Sequence, residues 1–209
     1  MSASDKLKIY IPIIDEAVFQ MFEQMGHTIR YNINDADVVV FTGGADVNPM
    51  LYGEEVHERT YFSNIRDEKD ILSYRDAGEK FKVGICRGGQ FLNVMNGGRL
   101  WQDVNNHTHS HLLRDTLTKN EYLVSSTHHQ MIRPTSKAII IAVANTASEL
   151  ATCGERQYVH NSKNWDDIEV CYYLESRSLC FQPHPEYNLP RTTKDYFQQV
   201  FNRCYYKKV

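Results

Sequence analysis

The segment Val83–Gly98, VGICRGGQFLNVMNGG, constrains the fold more than any other stretch of the chain. A short β-like run meets a single cysteine framed by glycines, and a helix-like run follows. A core cysteine does not need that punctuation. A nucleophile on a tight turn does. A strand ending at Ile85, Cys86 on the turn and a helix beginning at Arg87 or Gly88 make a nucleophile elbow of the G-x-C-x-G form. The glycines let the backbone turn sharply and let neighbouring segments approach. The elbow puts the sulfur at a helix N-terminus, where the positive end of the dipole favours thiolate. It also aims the backbone N–H of Arg87 at the oxygen of a carbonyl that Cys86 attacks.

The flanking pattern supplies the sheet that such an elbow needs. LKIYIPII (Leu7–Ile14) reads as a buried strand, and EAVFQMFEQMG reads as a helix stopped by Gly26. HTIRYN and ADVVVFTGG read as two more strands. The unbroken VVVF is the pattern of a parallel strand covered on both faces. RDEKDILSYRDAGEKF predicts a helix, with Ile71, Leu72 and Tyr74 facing inward. This β-α-β-β-α-β-α order favours an α/β sheet, mostly parallel. The second half is richer in strands: EYLVSS, KAIIIAVAN, IEVCYYLE and SLCFQ. A last helix starts near Pro190 with Phe197, Val200, Phe201 and Cys204 on one stripe. No repeat or linker interrupts the 209 residues, which suit one domain over residues 1–209.

Ligands of open α/β sheets bind at the carboxyl ends of the strands. Cys86 sits at such an end, and so does Thr42–Gly44 after VVVF. The bare Gly43-Gly44 offers a second N–H to the same oxyanion; the blander reading is a tight turn. A thiol also needs a base. Among nine histidines, His184 in CFQPHPEY lies just past a strand-like run, between Pro183 and Pro185. Glu186, two residues on, is placed to orient the ring. Cys86, His184 and Glu186 then form a nucleophile, base and orienter. His128 and His129 compete for the role of base but lack an adjacent orienter.

Other features bound the function. The net charge is −3, and no polybasic patch points to nucleic acid or to an anionic membrane. No run approaches the roughly 18 apolar residues of a membrane span, and the N-terminus has no signal-like apolar region. The odd count of five cysteines, without a CxxC pair, argues against a disulfide framework and a structural zinc site. A reducing, cytoplasmic setting is the simpler expectation. Cys153, Cys171, Cys180 and Cys204 read as packing residues. HTHSH places His107, His109 and His111 at alternate positions, which on a strand would share a face and suit a metal. No carboxylate or cysteine partner is evident nearby, so a polar loop and no metal are the expectation. No Gly-rich phosphate loop is present, and no cofactor is expected.

GICRGGQ together with QPHPE resembles the class I glutamine amidotransferase family. TGGADVNPMLYGE, RD, GICRGGQFLNVMNGGRLWQDV and SSTHHQ look more like its γ-glutamyl hydrolase branch, which includes the γ-glutamyl-γ-aminobutyrate hydrolase type. These motifs run in the family's order from about Val38 to Glu186. The resemblance implies a flavodoxin-like, doubly wound α/β fold with helices on both faces. It implies hydrolysis of a γ-glutamyl amide through a thioester on Cys86, with His184 and Glu186 as partners and backbone donors at Gly44 and Arg87. It also implies that Gln90, Thr127, His128 and His129 hold the glutamyl head group. Pro183, Gly89 and Ser125 stand where the family more often has other residues. Three functions stay open: a free-standing γ-glutamyl hydrolase, a glutaminase subunit delivering ammonia to a separate synthetase chain, and a non-catalytic regulatory module on the same fold.

Overall fold

A computed structural model of the chain describes residues 6–145, 148–159 and 166–207. Its first half alternates as the sequence reading expects: β1 (Lys8–Tyr10), α1 (Glu16–Gln24), β2 (Thr28–Arg30), β3 (Val38–Phe41), α2 (Asn64–Ala77), β4 (Phe81–Ile85) and α3 (Arg87–Met95). The first strand is shorter than the apolar run that encodes it. Pairing stops at Tyr10, two residues before Pro12, which has no N–H to give a ladder.

The second half supplies β5 (Arg99–Trp101), β6 (Asp103–Val104), β7 (His111–Asp115), β8 (Glu121–Val124), β9 (Met131–Arg133), β10 (Ala138–Ala144), β11 (Leu150–Cys153), β12 (Arg156–Val159), β13 (Ile168–Tyr173), β14 (Ser178–Phe181) and α4 (Arg191–Tyr205). Nine strands run in the order β2-β1-β3-β4-β14-β13-β10-β7-β8, and β9 joins β13 and β5 to the same sheet.

The five strands from β2 to β14 are parallel, which gives the expected doubly wound core. From β14 outward every pairing is antiparallel, so the sheet as a whole is mixed rather than mostly parallel. Connection length sets two of these pairings, β13 with β14 and β7 with β8. Only residues 174–177 separate β13 from β14, and a parallel return needs a dozen residues or more. A small sheet of β12, β11 and β6 sits apart.

Helices cover both faces. Successive residues of β3 point to opposite sides, so Val38 and Val40 pack with Val18, Phe22, Phe197 and Phe201 from α1 and α4. Val39 and Phe41 pack with Phe91 and Leu92 from α3 and Ala77 from α2. The stripe expected on the last helix is buried as read. On α2 the expectation holds only in part. Ile71 and Tyr74 pack inward, but Leu72 is exposed, and the buried positions are Asp67, Asp70 and Ala77. Buried acids on a helix require a partner, and that partner lies in the site below. No helix among the described residues is long and apolar enough to cross a membrane.

Candidate active site

β4 ends at Ile85, and Cys86 follows with φ 50° and ψ −113°, outside the helix that starts at Arg87. A positive φ at a residue with a side chain costs about 1–3 kcal/mol, so the surroundings must enforce it. Here the amide of Cys86 donates to Phe181 O at 2.8 Å, and its carbonyl accepts from Gln90 N at 3.1 Å. The neighbouring glycines serve close approach. A Cβ on Gly88 would stand 2.0 Å from Phe41 O, and one on Gly84 2.2 Å from Gly88 O. The helix is therefore seated directly on the ends of β3 and β4. The N–H of Arg87, at the first helical position, has no intrahelical acceptor.

Arg87 does more than the sequence reading gave it. Its side chain is buried, and its guanidinium pairs with both Asp67 and Asp70 while Nε donates to Ala45 O at 3.1 Å. Arg66, on α2 beside both aspartates, donates from Nε to Asp70 at 3.0 Å and from Nη2 to Thr42 O at 2.9 Å. The acidic face of α2 thus ties down both loops at the strand ends, through two arginines. Burial pulls the Arg87 guanidinium down from its usual value and pushes the Asp67 carboxyl up. The ion pairs chiefly offset that desolvation rather than add stability. Only the RD motif at Arg66-Asp67 hinted at this arrangement.

The loop after β3 carries Gly43 and Gly44. A Cβ on Gly43 would lie 3.3 Å from His184 Cε1 and 3.9 Å from Cys86 Cβ. Gly43 therefore packs against both side chains, and only a glycine lets them meet there without a shift. Gly44 has φ 134°, and a side chain there would press on Arg66.

His184 is buried in the loop after β14. Its Nδ1 lies 2.7 Å from Glu186 Oε1, and its ring stacks on Tyr187 with centroids 4.4 Å apart. Nε2 is buried with no aligned hydrogen-bond partner among the described residues, on a ring that faces Cys86 across Gly43. Burial disfavours the charged imidazole. Hydrogen bonding and charge at the Cys86 sulfur and at the Glu186 carboxylate outweigh burial and push its pKa up to about 11. A protonated imidazole beside the sulfur is an acid ready for a leaving group. Ser125 fixes the backbone of this loop: Oγ donates to His184 O at 2.7 Å and accepts from His184 N at 3.1 Å. In the sequence Ser125 stood out only as a departure from the family pattern.

The expected head-group residues divide. Gln90 is buried, and its Nε2 donates to Gln130 O at 3.2 Å, joined there by Gln182 Nε2 at 2.9 Å. Gln90 thus holds the SSTHHQ loop against α3. Thr127 is exposed on that loop. His129 is half-buried between Asp46 and Asp103, and these carboxylates, Asp46 foremost, raise its pKa against the effect of burial. His128 turns into the protein: Nδ1 lies 3.0 Å from Gln130 O and Nε2 3.3 Å from Glu169 Oε2. Both ring nitrogens of His128 are thus engaged within the protein, as are those of His129 with its two carboxylates.

The HTHSH stretch also differs from the expected polar loop. His107 and His111 are buried, and His109 is exposed, because β7 begins only at His111. The carboxylates absent from the local sequence come from β13 and the residue before it: Asp167 lies 3.1 Å from His107 Nε2, and Glu169 is within 3.2–3.3 Å of His107, His111 and His128. The four other cysteines are buried and free, as read.

An elbow cysteine at the carboxyl end of the parallel strands, with a histidine and a glutamate from the loop after the neighbouring strand, is the arrangement of a class I glutamine amidotransferase-like protein. Residues 16–186 match the model of the peptidase C26 family, and the chain belongs to that family. It is 31% identical to the glutamine amidotransferase-like protein YvdE of Lactococcus lactis over 69% of this chain and 75% of that one. In fold it is similar to a glutamine amidotransferase of Thermotoga maritima, with a TM-score of 0.60 at 13% identity, covering 99% of this chain and 87% of that one. It is also similar in fold to PurLQS of Thermotoga maritima, with a TM-score of 0.63 at 15% identity, covering 94% of this chain and 98% of that chain. Fold and family together make the chain a hydrolase of carbon–nitrogen bonds at the level of class.

Proposed function

We propose that the chain hydrolyses a γ-glutamyl amide through a γ-glutamyl thioester on Cys86, acting as a free-standing γ-glutamyl hydrolase. His184 Nε2 takes the Cys86 thiol proton as Sγ attacks the γ-carbonyl carbon, and the carbonyl oxygen takes the negative charge. The backbone N–H groups of Arg87 and Gly44 receive that oxyanion. His184 Nε2 passes its proton to the amine nitrogen, the C–N bond breaks, and the amine leaves. Water then enters. His184 takes its proton, hydroxide adds to the thioester, and glutamate departs as Cys86 recovers. Glu186 keeps Nδ1 protonated and Nε2 aimed at the sulfur. The observation that carries this reading is the packing of Gly43 against both His184 and Cys86, with Nδ1 of that imidazole on Glu186.

A second reading has the same chemistry with ammonia as the leaving amine, passed to a synthetase on another chain. The fold likeness to PurLQS and the glutamine amidotransferase-like relative favour it. Turnover of γ-glutamyl amines and of glutamine by the purified chain separates the two. Activity on γ-glutamyl amines without any second protein supports the hydrolase. Glutaminase activity only with a synthetase supports the subunit. Absence of both, with Cys86 unreactive, leaves the regulatory module.

A further inference from the structure

Three imidazoles and one carboxylate meet inside the protein, away from the Cys86 chemistry. His107, His111 and His128 bring their rings within 4.8–6.3 Å of one another, and the Glu169 carboxylate is fully buried between them. Each ring has two nitrogens, and each spends one of them in the same way. His107 Nε2 faces the Asp167 carboxylate at 3.1 Å. His111 Nδ1 faces the carbonyl of His109 at 3.1 Å. His128 Nδ1 faces the carbonyl of Gln130 at 3.0 Å. These partners only accept, so each of those nitrogens carries the N–H and donates it. In a neutral ring the other nitrogen is then a bare lone pair.

All three remaining nitrogens lie close to Glu169, and those of His111 and His128 are in line with it. His107 Nδ1 and His111 Nε2 lie 3.2 Å from Oε1, and His128 Nε2 lies 3.3 Å from Oε2. His107 Nδ1 is buried and out of line for a hydrogen bond with that oxygen. Lone pairs converging on a carboxylate oxygen repel unless a cation stands among them. Protons on His111 Nε2 and His128 Nε2, both in line with Glu169, would also balance the two carboxylates, but they would place two imidazolium rings in the interior and still leave His107 Nδ1 without an aligned partner. A divalent ion with three neutral rings and the two carboxylates sums to zero. The donor atoms of His107, His128 and Glu169 all lie within 4.8 Å of one another, close enough for one ion to draw them together. An outer acceptor on the second nitrogen of every ring is the usual support of a metal-bound histidine.

We propose that His107, His128 and Glu169, with His111 as the fourth ligand, bind one divalent first-row transition ion, and that zinc fits this set best. Three imidazole nitrogens and one carboxylate oxygen make a closed tetrahedral site with no position for water, which is the structural type. The ion would tie three segments that are distant in sequence: the stretch leading into β7, the SSTHHQ loop and β13. Ser125 on that loop holds His184, and Glu169 O accepts the amide of Gln182 at 2.9 Å. The ion thus braces the frame of the Cys86 site without touching substrate.

The test uses the full chain without a histidine tag, purified and, in parallel, refolded with zinc or cobalt. Elemental analysis after desalting should give about one ion per chain. A strong chelator should lower the melting temperature by several degrees, and zinc should restore it. The cobalt form should show the visible bands of a tetrahedral ion, lost in Glu169→Gln and in His128→Ala. If those variants fail to fold, the metal content and melting shift of the wild type decide. Trace metal only, with no melting shift and no cobalt bands after refolding with the ion, would overturn the site in favour of a purely hydrogen-bonded histidine–glutamate cluster. Neither outcome depends on which amide Cys86 cleaves.

Discussion

The hydroxyl of Ser125 closes both backbone groups of His184, donating to its carbonyl at 2.7 Å and accepting from its amide at 3.1 Å. The imidazole that faces Cys86 is therefore aimed by a residue 59 positions earlier in the chain. Ser125→Ala leaves a buried amide and carbonyl unpaired. It should lower kcat by about tenfold to a hundredfold with KM little changed, because positioning is lost rather than substrate contact. Ser125→Thr should recover part of the rate. Steady-state kinetics on the best γ-glutamyl substrate reads both. A rise in KM alone would place Ser125 in substrate binding instead.

Gly43 tests the same geometry from the other side. A methyl group there would lie 3.3 Å from His184 Cε1, which forces the ring to yield by a few tenths of an ångström. Gly43→Ala should keep the fold, with a melting temperature within a few degrees of wild type, and lose most of kcat. Unchanged turnover would mean that the ring beside Gly43 is not the one that moves the proton.

The elbow depends on the ion pairs of Arg87. Asp70→Ala removes one carboxylate from a guanidinium that is 1% exposed. Breaking a buried pair from one side costs about 3–5 kcal/mol. Urea denaturation should show a loss of that order, together with faster alkylation of Cys86 as the turn loosens. A loss below about 1 kcal/mol would mean that Asp67 alone suffices.

Much of this site is written locally, and that part was legible in the sequence. Glycines on both sides of Cys86, the VVVF run before Gly43-Gly44 and the two prolines around His184 each act within a few residues. In the antiparallel half of the sheet, short connections set the β13–β14 and β7–β8 pairings, while the long-range pairings of β10 leave no local signal. The inward face of α2 was misread at Leu72 because its buried acids look solvent-facing until Arg87, 20 residues beyond Asp67, is placed against them. The histidines of HTHSH lacked a visible carboxylate for the same reason: Asp167 and Glu169 lie about sixty positions further on. Side chains that meet only through the sheet leave no spacing to read.

Acid stability should report the Asp115 cluster. Burial works against its charge, but Arg203, the Thr118 amide and the Tyr196 hydroxyl outweigh burial and lower its pKa from 3.8 to about 2. A folded-state value below the unfolded one stabilises the protein above about pH 4, and that stability is lost as pH falls toward 2. The contribution is about 2 kcal/mol. Unfolding free energies measured across this window should fall more steeply for wild type than for Asp115→Asn. Parallel curves would remove the cluster from the acid response.

The most direct measurement is mass spectrometry of the chain after exposure to a glutamine-like diazo-ketone and, separately, after rapid acid quench during turnover of a γ-glutamyl amide. The predicted result is one covalent adduct per chain, located on Cys86, absent in Cys86→Ala, and formed much more slowly in His184→Ala. Turnover without any adduct on Cys86, or an adduct on another residue with activity intact in Cys86→Ala, would contradict the thioester route.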